Sequence, residues 1–141
     1  MKIVVSACLL GENCKYNGGN NDSPAVAEFV QGREVIPVCP ELLAGLGVPR
    51  EPIEIVGGKV LRKDGTSVDC QLKKAIAQIL AQLEGEQIEC AILKSRSPTC
   101  GVKQVYDGTF TGTLVDGMGV LAAALKERGY KVLDSEDCVC K

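Results

Sequence analysis

The 141-residue chain predicts an α/β fold, a Rossmann-like three-layer sandwich with a parallel or mixed sheet and an inserted β-hairpin, and three observations carry that prediction. Short β-branched runs alternate with stretches of helical periodicity, the pattern of strands joined by crossover helices. Three of the runs end alike: 2–6 runs into Ser6-Ala7-Cys8, 34–38 into Cys39-Pro40-Glu41, and 88–93 into a small polar loop that ends at Cys100-Gly101. Gly57-Gly58 sits between the short runs 53–56 and 59–62, as in a two-residue hairpin turn.

Residues 2–6 are apolar enough for a buried strand, and 9–19 read as a loop containing Cys14, with Asn17-Gly18-Gly19-Asn20-Asn21 as a turn cluster. Asp22 or Ser23 caps a helix that has Pro24 in its first turn and is closed by Gly32. After strand 34–38, residues 41–44 form one helical turn ended by Gly45 and Gly47. The prolines of Val48-Pro49-Arg50-Glu51-Pro52 keep that stretch extended over the surface or the site. Beyond the hairpin, Leu72, Ile76, Ile79, Leu80 and Leu83 recur at helical spacing over 69–84, and Gly85 ends the helix. Strand 88–93 follows. Val105-Tyr106 and the Thr-rich, Gly-punctuated stretch 109–115 predict irregular or edge β structure covering the site. Residues 119–128 form an Ala- and Leu-rich helix ended by Gly129, 130–133 a last strand, and 134–141 an acidic tail carrying Cys138 and Cys140.

Length and composition predict one domain, 1–141, able to bury a core without disulfide staples. A formal net charge of -2 and a pI near 5.2 exclude the polybasic class that binds nucleic acid or membrane surfaces, and favour a small neutral or weakly anionic ligand. No run approaches the ~18 apolar residues of a membrane span. Eight cysteines and no histidine are the compositional oddity. Val5-Ser6-Ala7-Cys8 has the small residues of a lipoprotein cleavage box, but an export signal needs about 7–15 apolar residues before it and only Ile3-Val4-Val5 stand there. The expectation is a cytoplasmic protein whose cysteines are metal ligands or reactive thiols.

Their spacing separates two kinds of metal site. Structural zinc draws on close Cys-x2-Cys pairs, often with histidine. Here cysteines arrive singly from strand ends, and if the strands are parallel, their loops open on one edge of the sheet. All-thiolate ligation there suits an iron-sulfur cluster or zinc. Cys8, Cys39 and Cys100 are therefore candidates for ligation or catalysis, whereas Cys90, within a strand, and Cys70, at a helix start, read as small buried hydrophobes. Cys14 reads either way; Cys138 and Cys140 either reach the same edge or fray. Glu41 suits a general acid, or merely a carboxylate at a helix N-terminus. Ser97 is either a substrate-facing hydroxyl or a turn hydroxyl bonding nearby backbone. Arg50 and Lys94 are candidates for binding a polar substrate edge or plain solvated charges.

These residues also carry a family resemblance. Ser6-Ala7-Cys8-Leu9-Leu10-Gly11 with Cys14, Cys39-Pro40-Glu41 with Gly45-Leu46 and Pro49-Arg50, and Lys94-Ser95-Arg96-Ser97-Pro98-Thr99-Cys100-Gly101 with Tyr106-Asp107-Gly108-Thr109-Phe110 resemble, in order and over nearly the whole chain, the small bacterial DUF523 proteins. Characterised members are thiouracil desulfidases. The resemblance implies a [4Fe-4S] cluster held by Cys8, Cys39 and Cys100, with one iron open to the sulfur of a thiolated nucleobase while water replaces that sulfur on the ring. It implies that Glu41 is the acid/base and Ser97 a catalytic hydroxyl. Lys15-Tyr16-Asn17-Gly18 departs from the Arg and Asp of many relatives, and the extra domain of longer relatives is not expected here. Competing readings are a non-catalytic metal-binding or redox-sensing module closed by a fourth thiolate such as Cys14, and a cluster-free thiol that carries persulfide.

Overall fold

A computed structural model describes residues 1–13, 17–47 and 51–137, so Cys14, Lys15, Tyr16, the 48–50 stretch with Arg50, and the Cys138/Cys140 tail lie outside the described residues. The elements in chain order are β1 (Lys2–Ser6), α1 (Pro24–Phe29), β2 (Glu34–Val38), α2 (Pro40–Leu43), β3 (Ile53–Val56), β4 (Lys59–Arg62), α3 (Asp69–Leu83), β5 (Ile88–Leu93), β6 (Gln104–Tyr106), β7 (Leu114–Asp116), α4 (Val120–Glu127) and β8 (Val132–Asp134). A 3-10 turn, Ala7–Leu10, follows β1 directly, and another, Ser135–Asp137, follows β8.

Side chains alternate across a strand, and that alternation builds three layers. Val4 of β1 with Ala91 and Leu93 of β5 faces Ile76, Ile79, Leu80 and Leu83 of α3 and Leu121, Ala122 and Leu125 of α4. On the opposite face Ile3 and Val5, with Cys90 and Ile92, meet Leu9, Val26 and Val30. The sheet runs β2-β1-β5-β8 with every pairing parallel, so of the two predicted alternatives, parallel or mixed, it is parallel. The buried stripe of α3 falls at residues 72, 75, 76, 79, 80 and 83, the spacing of one helical face. Cys70 lies off that stripe and is exposed, which corrects the expectation that it is buried, while Cys90 is in the core.

The hairpin forms as predicted, with Ile53 opposite Arg62 and Val56 opposite Lys59. Gly57 and Gly58 take φ of 58° and 84°, left-handed at both turn positions as a type I′ turn requires. Asp69, in the first turn of α3, joins helix to hairpin: its carboxylate accepts from the Val60 amide at 3.1 Å and pairs with Lys73 at 2.8 Å. The Thr-rich region is short edge β structure, as expected: β6 and β7 pair with each other in a two-stranded ladder apart from the main sheet. One sequence expectation shifts. The last strand begins at Val132 rather than at residue 130, because the Tyr130 amide still bonds the Leu125 carbonyl at the end of α4.

From β1 the chain winds outward to β2 and later returns to the other side of β1 as β5. That reversal leaves a crevice beyond the carboxyl ends of the strands, where open α/β sheets bind ligands. The segments carrying Cys8, Cys39 and Cys100 leave three adjacent strands at that edge.

Candidate active site

A cavity of about 500 Å3 occupies the crevice, and Cys8, Cys39, Cys100, Glu41, Ser97 and Lys94 all line it. Cys8 sits in the 3-10 turn, which Gly11 closes with φ of 90°. The Asn21 amide donates to the Cys8 carbonyl at 2.9 Å, binding the turn to the loop before α1. Cys39 is the extended residue before α2, with Pro40 at the first helical position, where proline's missing N–H costs nothing. Glu41 occupies the first turn of that helix, half-buried. All five described cysteines are free thiols.

Cys100 is held most closely. The Ser97 hydroxyl oxygen accepts from the Thr99 amide at 3.2 Å and the Cys100 amide at 3.1 Å, and Gly101 donates to the Ser97 carbonyl at 2.8 Å, which makes a helical turn around Pro98. This is the backbone-bonding role that sequence offers a turn serine. Ser97 and Thr99 hydroxyls stand 2.9 Å apart, and the Thr99 hydroxyl donates to Cys100 Sγ at 3.6 Å. With both Ser97 lone pairs engaged by amides, its proton is the one that goes to Thr99. The loop start is tied back as well: the Lys94 amide donates to Ser6 Oγ at 3.0 Å, and the Ser95 amide to Ser135 Oγ at 3.2 Å. Arg96 adopts φ of 63°, unusual for a non-glycine residue, and pairs with Glu136 at 2.9 Å.

The same loop docks on the start of α4. Amides of Gly119, Val120 and Leu121 donate to the carbonyls of Gly101, Pro98 and Thr99 at 2.7, 3.0 and 2.7 Å, satisfying helix donors that otherwise have no partner. The approach leaves no room for a side chain, since a Cβ on Gly119 would stand 2.5 Å from the Thr99 carbonyl carbon and 2.7 Å from the Cys100 nitrogen. Gly119→Ala is therefore expected to push the Cys100 loop off the helix and lower the metal retained per chain severalfold, although residue 119 bears no functional group. Metal content beside a far-ultraviolet spectrum checks this, and unchanged content would show that the loop absorbs the displacement.

A family model for 2-thiouracil desulfurases matches residues 3–137. The chain belongs to the 2-thiouracil desulfurase family. It is 37% identical to the uncharacterised Bacillus subtilis (strain 168) protein YbbK over 145 residues, covering 96% of each chain. Among solved structures it resembles the [4Fe-4S]-dependent thiouracil desulfidase TudS (DUF523Vcz), with a TM-score of 0.88 and 33% identity over 96% of this chain and 91% of that one. The parallel sheet and the crevice at its edge are thus the 2-thiouracil desulfurase fold.

The donors of this 2-thiouracil desulfurase family member fit an all-thiolate cluster. Among the described residues, no three Cys, Asp or Glu side chains converge tightly enough for a single metal ion. Cys8, Cys39 and Cys100 line one cavity, and an iron-sulfur cluster would take each thiolate on a different iron. Burial, opposed by hydrogen bonds from Ser6 and Thr99, pushes the Cys100 thiol up to about 12, and burial raises the Cys8 thiol against an Asn21 hydrogen bond. A thiol raised by burial ionises readily only when a metal displaces its proton. Ser6, Asn21 and Thr99 are supporting residues that sequence reading passed over. Their only signal was proximity in sequence to a cysteine or to a turn cluster.

No helix among the described residues is long and apolar enough to cross a membrane. Of the two cations singled out in the sequence, Lys94 reaches the cavity wall and donates to the Ser95 carbonyl and hydroxyl at 3.0 and 3.2 Å.

Proposed function

We propose that the protein is a [4Fe-4S]-dependent desulfidase, one catalytic domain spanning 1–141, that converts thiouracil-type nucleobases to uracil with release of hydrogen sulfide. The observation carrying this reading is the set of three thiols, delivered by the ends of three adjacent parallel strands to one cavity that Glu41 also lines. Cys8, Cys39 and Cys100 hold the cluster. When bound, it supplies an iron without a protein ligand, a soft Lewis acid for a thiocarbonyl sulfur. The reaction is a substitution without net electron transfer: water oxygen replaces sulfur on the ring carbon, and sulfur leaves with two protons.

Glu41 moves those protons, taking one from the attacking water and returning it to the departing sulfur or a ring nitrogen. Ser97 contributes its one hydroxyl proton, which rests on Thr99 and turns toward the substrate's heteroatom or the water. Lys94, whose positive charge favours ionisation of the Cys8 thiol, offsets part of the charge of the ligands. The partner is a small thiolated base rather than a nucleic acid, in keeping with a net charge of -2, and the free thiols fit the reducing cytoplasm.

Anaerobic reconstitution followed by iron and acid-labile sulfide analysis tests the reading, with uracil and sulfide release from 2-thiouracil measured on the same sample. About four irons and four labile sulfides per chain, with turnover, are expected. Zinc binding without cluster formation would replace the enzyme with a metal-binding module.

A further inference from the structure

The Tyr106-Asp107-Gly108-Thr109-Phe110 segment has no role in the chemistry above, yet it is built with unusual care. It joins β6 to β7 beside the cavity, whose wall Tyr106 and Phe110 both line. The Asp107 carboxylate accepts from the Thr109 amide at 2.9 Å and the Thr109 hydroxyl at 2.6 Å, an Asx-type turn. Phe110 then takes φ of 59°, a left-handed conformation that an aromatic residue rarely adopts.

What holds it there comes from a different part of the chain. Glu54 of β3 is 7% exposed, and its Oε1 accepts from the Gly108 amide at 2.9 Å and the Phe110 amide at 3.2 Å. Gly108, at φ of 94°, lies so close to the hairpin that a Cβ would stand 2.6 Å from the Ile55 carbonyl oxygen. A buried carboxylate and a backbone-to-backbone contact thus strap the turn to the hairpin. Strain maintained by surrounding structure at a cavity points to function.

Resting on the desulfidase reading, we propose that Phe110 is the apolar face on which the pyrimidine ring of the substrate lies, and that Glu54 is the positioning residue that holds it there. The rest of the wall mixes thiols and charged groups, among them Glu41, Glu54 and Lys94, with aliphatic Val38, Ile53 and prolines, none of which offers a flat π face. A planar heteroaromatic ring needs one polarisable surface to fix its plane before its thiocarbonyl can be aligned. Among the described phenylalanines and tyrosines, Phe110 and Tyr106 line the cavity, and of these two Phe110 has its amide held by Glu54.

Steady-state kinetics with 2-thiouracil and equilibrium dialysis of uracil, both on cluster-loaded protein and normalised to iron, test the proposal. Phe110→Ala is expected to raise KM and the uracil dissociation constant about tenfold, within the range that a base loses with its stacking partner, while kcat changes less than about twofold. Glu54→Ala is expected to reproduce that pattern and to accelerate hydrogen exchange at the Gly108 and Phe110 amides. Glu54→Gln, which keeps an acceptor oxygen, restores both. An unchanged KM and uracil affinity in Phe110→Ala overturns the proposal, as does a Glu54→Ala defect confined to iron content and thermal stability. If the wild type turns over no thiouracil the desulfidase reading falls instead, and the dialysis comparison alone then decides whether Phe110 is a pyrimidine platform.

Discussion

Alanine at Cys8, Cys39 or Cys100 is expected to abolish retention of the cluster in each case, leaving less than about a tenth of the wild-type iron. Loss of a residue that merely orients a ligand already costs about 10–100-fold in metal affinity, and each of these changes removes a ligand itself. The three thiols leave three different strands, so none has a neighbour in its own loop among the described residues to take its place. The chain stays folded, because the apolar layers on both faces of the sheet rest on aliphatic residues of the strands and helices. Cys90→Ala and Cys70→Ala, one a core residue and one exposed, are the controls and retain the cluster. Iron and labile sulfide after anaerobic reconstitution, beside a circular dichroism spectrum, measure the effect. A Cys100→Ala protein with full iron content would remove the β5 loop from the ligand set.

Glu41→Gln is expected to separate binding from chemistry: iron content unchanged, kcat lowered about 10²- to 10⁴-fold, the range contributed by a positioned acid/base. Glutamine keeps the shape and the hydrogen-bonding reach of glutamate but exchanges no proton. In the first turn of α2 a carboxylate's interaction with the helix dipole is worth only about 0.3–1 kcal/mol. Ligand ionisation is not impaired either. After burial, the Glu41 charge is among the influences that raise the Cys8 and Cys100 thiols, so its removal eases their deprotonation. Single-turnover release of sulfide from 2-thiouracil reads the step directly, and a fully active Glu41→Gln enzyme would deprive Glu41 of the role.

The three cysteine-tipped strands were legible in the sequence because periodicity and punctuation are local properties. A β-branched run closed by a cysteine, a Gly-Gly turn, and apolar residues recurring along 72–83 each state a backbone conformation without reference to the rest of the chain. Cys70 and the last strand show where that locality ends. Whether a cysteine at a helix start is buried depends on which way the helix faces its neighbour, and where β8 begins depends on how far α4 keeps its C-terminal hydrogen bonds.

At the site, composition and spacing by themselves determined the α/β class, the residues able to bind soft metal, and the strand ends that carry them. Only the tertiary structure decided that β2, β1 and β5 lie side by side and parallel, so that thiols dozens of residues apart share one cavity. It alone decided that Thr99 supports Cys100, that the Cys100 loop docks backbone to backbone on Gly119, and that Glu54 reaches across from the hairpin to Phe110. The reason is physical. Strand and helix propensities act between near neighbours, whereas hydrogen bonds across the fold and contacts where a Cβ cannot fit arise only once packing has chosen which distant segments meet.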